Sequence, residues 1–183
     1  MVTSPGPGEG KSTTISNLAV VMAQQGKAVL LVDADLRKPT VHHTFHQSNT
    51  RGLTNVLMRQ IAFEDAVRET EVEKLFILPS GPVPPNPSEL LGSKMMKQMI
   101  DDAMMQYDAV LFDCPPILAV TDAQVMANYC QGVVLVIKSG ATEIEAAMKA
   151  KEHLKHVNAK LLGVVLNGKP INGDSYYYYY YGG

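Results

Sequence analysis

Three short stretches of the chain carry side chains that could do chemistry together. The first, Pro5-Gly6-Pro7-Gly8-Glu9-Gly10-Lys11-Ser12-Thr13, joins glycines, a lysine and hydroxyls directly ahead of an amphipathic helical pattern. Glycines let backbone N–H groups curl round an anion, and the helix N-terminus behind them adds partial positive charge. Lys11 supplies a full charge, and the Ser12 hydroxyl can ligate Mg²⁺. Gly8, Glu9, Gly10, Lys11, Ser12 and Thr13 are therefore the expected contacts of a nucleoside triphosphate, although Pro5 stands at the first glycine of the pattern G-x-x-x-x-G-K-[ST]. In the second stretch, Val29-Leu30-Leu31-Val32-Asp33-Ala34-Asp35-Leu36-Arg37, an apolar run ends in two carboxylates spaced by two. Extended backbone would put Asp33 and Asp35 on one face, with Arg37 beyond if extension continues. Such a pair can hold a metal or accept a proton; the plainer alternative is solvated loop acids, one of them paired with Arg37 or Lys38. The third stretch, Ala109-Val110-Leu111-Phe112-Asp113-Cys114-Pro115-Pro116, sets Asp113 at a strand end, where open α/β sheets place their ligands.

These residues can meet only if strands deliver them to one edge of a sheet. Apolar runs of strand length alternate with longer segments of helical period, which predicts an α/β fold, a mostly parallel sheet with helices on both faces. Strands are expected at Val29 to Asp33, Leu75 to Leu78, Ala109 to Asp113, Val133 to Lys138 and Leu161 to Leu166. Helices are expected at Ser12 to Gln25, Ser88 to Gln106, Asp122 to Tyr129 and Thr142 to His156, the last opened by a capping box of Thr142 and Glu145, with Gly26 closing the first. The prolines between Leu78 and Ser88 fix φ and remove donors, so a long stiff loop is expected there. Only Met1 to Ser4 precede the glycine loop, fewer than the roughly 5 or 6 residues of an ordinary strand, so the N-terminal strand reads as truncated.

Composition bounds the function classes. The 183 residues suit one domain: 46% are hydrophobic and 19% charged, a globular balance. A net charge of -2 gives no basic surplus for nucleic acid. Cys114 and Cys130 lie in separate apolar segments and form neither a disulfide framework nor a zinc set, which suits a reducing compartment. No apolar run approaches the roughly 18 residues of a membrane span. His42, His43 and His46 include a metal-like i, i+4 pair without the glutamate of H-E-x-x-H, and read as a solvated loop. Met95, Met96, Met99, Met104 and Met105 fall at helical spacing and read mostly as core filler, and Cys114 as structurally buried. From residue 169 to 183 the chain reads as a tail, with Tyr176, Tyr177, Tyr178, Tyr179, Tyr180 and Tyr181 in one block. Six adjacent tyrosines cannot pack as an ordinary strand without burying six hydroxyls, whereas a phosphoacceptor tail gives the block a purpose.

Taken together, nearly the whole chain resembles the bacterial tyrosine kinases, with residues 1 to 168 as the P-loop kinase domain and 169 to 183 as the tail. The resemblance rests on Gly10-Lys11-Ser12, on Asp33-x-Asp35-x-Arg37 after apolar residues as a Walker A′ motif and on Asp113-x-x-Pro116 as Walker B. Gly52-Leu53-Thr54, Pro85-Asn86-Pro87-Ser88-Glu89-Leu90-Leu91 and the tyrosine block complete it. It implies an ATP- and Mg²⁺-dependent protein-tyrosine kinase that phosphorylates the tail tyrosines between subunits of a homo-oligomer. It also implies a cytoplasmic protein held at the inner face of the membrane by an adaptor of the polysaccharide co-polymerase type, serving exopolysaccharide or capsule production. By this resemblance Lys11, Asp33, Asp35 and Asp113 are the catalytic set, Ser12, Asp35 and Asp113 the metal set, Asp33 the favoured base, and Asn167 an adenine contact. One rival is an ATP-driven positioning switch, whose signature second lysine would fall at Gly6. Another is an inactive interaction subunit, since the short start lacks the family's upstream Glu/Arg motif for ring assembly.

Overall fold

The computed structural model describes residues 1–170, so the tyrosine block lies outside the described residues. Seven strands form one sheet: β1 (Val2–Thr3), β2 (Val29–Asp33), β3 (Arg68–Glu69), β4 (Leu75–Leu78), β5 (Ala109–Asp113), β6 (Val133–Lys138) and β7 (Leu161–Asn167). Their order is β3-β4-β2-β5-β1-β6-β7, parallel throughout except for the antiparallel edge pair β3 and β4. The expected α/β architecture is present, and β2, β4, β5 and β6 have the expected bounds. Chain reversal between parallel strands requires crossovers, which the helices supply: α1 (Lys11–Gln24), α2 (Val41–Thr44), α3 (Leu53–Leu57), α4 (Phe63–Ala66), α5 (Pro87–Leu91), α6 (Lys94–Gln106), α7 (Asp122–Ala127) and α8 (Ile144–His156).

Strand β2 shows why its sequence is apolar throughout. Leu30 and Val32 enter one core with Leu78, Leu91, Met96, Met99 and Phe112, while Val29 and Leu31 enter the other with Ile15, Ala19, Ile77 and Val136. Both faces are dry, so alternation gives way to a continuous run. Each fully buried leucine here contributes roughly 1.5–3 kcal/mol. β1 is short but central, pairing with β5 and β6 at once. β7, by contrast, lies at the sheet edge with Leu162, Val164 and Leu166 exposed.

Four expectations need correction. The long helix from Ser88 to Gln106 is two helices, α5 and α6, because the Ser93 hydroxyl accepts from the Met96 N–H and so starts a new helix after Gly92. Helix α8 begins at Ile144 without a side-chain cap; Thr142 is not in a capping box, since its hydroxyl is engaged at the glycine loop. Of the methionines, Met96 and Met99 are buried, but Met104 and Met105 are exposed at the far end of α6. His42 and His43 lie in the short helix α2, not in a loop; His46 comes just after it.

Candidate active site

Strands β1, β2 and β5 are adjacent and parallel or nearly so in register, with Asp33 beside Asp113 and Val2 beside Asp113. Their carboxyl ends therefore point the same way, and the loops leaving those ends lie along one edge of the sheet. After β1 the chain turns through the glycine loop. Gly8 and Gly10 take left-handed φ values of 75° and 91°, and α1 starts at Lys11. A Cβ on Gly10 would fall 2.0 Å from Asn167 Nδ2, so only glycine fits against that side chain.

The lysine meets the acids. Lys11 Nζ lies 3.0 Å from Asp35 Oδ2 and 3.3 Å from Asp113 Oδ1, and it donates to Ser12 Oγ at 3.1 Å. Asp35 reaches this position differently from the strand alternation expected of it. β2 stops at Asp33, and the Asp35 N–H turns back to Asp33 Oδ1 at 3.2 Å. Asp33 Oδ2 takes the N–H groups of Thr40 and Val41, both at 3.0 Å, while Asp35 Oδ1 takes that of Lys38 at 3.0 Å. Extension does not continue to Arg37, which turns away to Asp122. Thus the turn, not the pleat, sets Asp35 beside the lysine.

Three carboxylates are buried here and the one ammonium pairs with only two of them, and the titration of the cluster reflects the shortage. Burial works against the Lys11 charge, but Asp113 and Asp35 outweigh it and raise its pKa. Burial also raises the pKa of Asp113, which Lys11 and Ser12 only partly offset. Asp33 is pushed up to about 7, first by burial and then by the Asp113 charge, against the lowering by its N–H donors. Asp113 Oδ2 is buried with no partner among the described residues. An orphaned carboxylate oxygen beside a serine hydroxyl and a glycine cradle fits Mg²⁺, which binds through one or two protein oxygens and takes the rest of its shell from phosphate and water. No three His, Cys, Asp or Glu side chains among the described residues form a complete metal cage.

The remaining predicted residues fall around this cluster. The Glu9 carboxylate accepts from the Gly6 N–H at 3.1 Å and from the Thr142 hydroxyl at 2.7 Å, and its carbonyl accepts from Asn167 Nδ2 at 3.0 Å. Residue 9 is thereby clasped to the ends of β6 and β7. Thr13 is exposed on the first turn of α1 and takes no part in these contacts. Cys114 is buried, and burial raises its thiol pKa well above the ordinary value. The Gly52-Leu53-Thr54 stretch is held against the end of β4: the Leu53 N–H reaches the Pro79 carbonyl at 2.7 Å and that of Thr54 reaches Ser80 at 2.9 Å. A Cβ on Gly52 would sit 2.1 Å from the Pro79 oxygen, which explains the glycine. Thr142 and Asp122 were not among the expected site residues; the only sequence signal for either was a polar side chain just beyond a strand end or at the head of a helix. Cavities of about 430 and 600 Å³ lie elsewhere, and neither is lined by the loop or its acids.

Comparison with known proteins agrees with this geometry. A sequence family described as an AAA domain matches residues 4–162. The tyrosine-protein kinase YwqD of Bacillus subtilis is 58% identical over 177 residues, covering 97% of this chain and 75% of its own length. The putative tyrosine-protein kinase CapB of Staphylococcus aureus is 42% identical over 182 residues, covering all of this chain and 80% of its own. Among solved structures, the chimerical protein CapA2B2 superposes with a TM-score of 0.91 at 44% identity, over 93% of this chain and 75% of that one. The septum site-determining protein MinD of Pyrococcus horikoshii, complexed with Mg-ADP, gives 0.77 at 27% identity, over 95% and 73%. With the lysine, the glycine cradle and the strand-end acids in one place, this chain belongs to the family of bacterial tyrosine-protein kinases.

Proposed function

We propose that the chain transfers the γ-phosphoryl group of ATP to tyrosine hydroxyls where Lys11, Asp33, Asp35 and Asp113 converge. One observation carries this reading: a single lysine of the glycine loop touches carboxylates from two other strand ends. Gly8, Glu9, Gly10, Lys11, Ser12 and Thr13 would form the phosphate cradle, with Lys11 exchanging carboxylate partners for phosphate oxygens. Ser12, Asp35 and Asp113 would hold Mg²⁺, and the free lone pairs of Asp113 Oδ2 support that role. When bound, the ion neutralises phosphate charge as the phosphoryl group moves. Asp33 would accept the proton of the incoming hydroxyl. Its pKa of about 7 suits a base at neutral pH, and Oδ1, with a single N–H donor, keeps a lone pair for the task. Asn167, anchored on the loop at Glu9, would lie against the adenine.

The acceptors, in this reading, are Tyr176 to Tyr181 of a neighbouring copy, with residues 1–168 as the kinase unit and 169–183 as its tail. Each phosphate would add about -1.5 to -2 charge, so successive transfers would drive tails and neighbours apart. No helix among the described residues is long and apolar enough to cross a membrane. A membrane adaptor would recruit the chain to the cytoplasmic face, where it would regulate exopolysaccharide or capsule synthesis. The test is incubation with labelled ATP and Mg²⁺, with and without the adaptor's cytoplasmic segment, and then mapping of the label. Label on the tail tyrosines supports the kinase; free phosphate points to a positioning switch, and neither product to an inactive subunit. Lys11→Met must abolish either signal.

A further inference from the structure

Asp122 and the Pro87-Ser88 start of α5 have no role in the proposed phosphoryl transfer, yet Ser88 and Arg37 meet at Asp122. Asp122 is fully buried, and its two oxygens take Arg37 Nε at 2.9 Å and Arg37 Nη2 at 3.1 Å. The Ser88 hydroxyl donates to Asp122 Oδ1 and lies 3.2 Å from the Thr121 hydroxyl. A guanidinium held at two points by a desolvated carboxylate has one orientation, unlike an ammonium, which would swivel. Arg37 is 42% exposed and only two residues beyond Asp35, and the Asp35 charge already acts on it. Between Asp33 and α2 the turn is held through the carboxylates of Asp33 and Asp35, neither of which orients the Arg37 side chain, so what Arg37 binds decides where its charge goes.

We propose that Asp122 is a positioning residue that keeps the Arg37 guanidinium away from Asp35. Asp35 is paired with Lys11 at 3.0 Å. The inference rests on the proposed kinase function, in which Lys11 leaves Asp35 for phosphate and Asp35 turns to the metal. At that moment a loose arginine two residues away would neutralise the carboxylate in the lysine's place. The buried Asp122, steadied by Ser88, gives the guanidinium a better partner and leaves Asp35 open. The Pro-Asn-Pro-Ser stretch then has a function: it carries the hydroxyl that closes the post from the α5 side.

The test is binding of a fluorescent ADP analogue to the full chain, with and without Mg²⁺. Asp122→Asn is expected to weaken Mg²⁺-dependent affinity about tenfold while leaving Mg²⁺-free affinity within about twofold. Adding Arg37→Gln to Asp122→Asn is expected to restore the Mg²⁺-dependent affinity, a rescue that a merely structural carboxylate would not permit. Arg37→Lys, a substitution at a part-exposed position that leaves the buried acid paired, is expected to shift the affinity about threefold and tests the idea even if Asp122→Asn does not fold. Variants that track the wild type, or a double variant no better than Asp122→Asn, overturn this inference alone. A wild-type chain whose affinity ignores Mg²⁺ overturns it together with the proposed metal site.

Discussion

Two ion clusters lie at the same edge of the sheet, and they are built to opposite standards. Around Asp122 one carboxylate meets one guanidinium at two points and a serine hydroxyl, and neither carboxylate oxygen is left over. Around Lys11 one ammonium is shared by two of three buried carboxylates, and Asp113 Oδ2 has no partner among the described residues. A finished cluster rigidifies; an unfinished one stores the cost of buried charge until a ligand relieves it. The contrast separates support from chemistry without reference to any relative.

Substitutions can break that contrast. The largest effect is expected from Lys11→Met, which should reduce label transfer at least about 100-fold, since it removes the charge aimed at the phosphates. Asp113→Asn should abolish transfer to a similar degree, yet the nucleotide-free chain should gain on the order of 1 kcal/mol in thermal or urea unfolding, because a buried charge with one unpartnered oxygen, competing with Asp35 for a single ammonium, is gone. Asp122→Asn should do the reverse to stability and cost about 2 kcal/mol, because it dismantles a satisfied pair. If both asparagine variants move stability in the same direction, the two clusters are not different in kind.

Acidity sharpens the comparison further. The folded Asp33 pKa, about 7, exceeds its ordinary value of 3.8, so between those values the folded chain holds a proton that the unfolded chain has released. Its stabilising share is complete below about pH 4 and is lost as pH rises towards 7, at up to about 1 kcal/mol per pH unit. Asp113 shifts in the same direction. Urea unfolding of the nucleotide-free chain should therefore show falling stability across this window, and Asp33→Asn should flatten it. Label transfer should rise over the same range as the base ionises, and that limb should vanish in Asp33→Asn but persist in Asp35→Asn. The smallest effect concerns the clasp on residue 9: Thr142→Val removes the hydrogen bond to Glu9 and the one from the Lys138 N–H, and KM for ATP should rise about threefold with little change in kcat.

Much of the fold was legible because β2, β4, β5 and β6 are continuous apolar runs, three of them ending in a charged residue and β4 in a proline-rich loop, a pattern with few alternative readings. The break between α5 and α6 was missed although Ser93 is an ordinary helix-starting residue; the methionine-rich period running through it hid the cap. The loop lysine and the three strand-end acids were legible as a set from parallel strand ends. What ties them was not. Thr142 and Asp122 touch Glu9 and Arg37 across 133 and 85 residues of chain, and no local pattern specifies a partner at that distance.

Spacing and residue type alone determined that this chain carries a glycine loop, a lysine and acids at or just beyond strand ends on a mostly parallel sheet, because periodicity and glycine placement are local properties of the backbone. Only the tertiary structure decided that Asp35 arrives by a turn and pairs with Lys11, that Arg37 belongs to Asp122, and that one oxygen of Asp113 is left without a partner. Those are outcomes of which desolvated charges find each other after the strands have assembled, and a buried charge settles its partner by proximity in space, not along the chain.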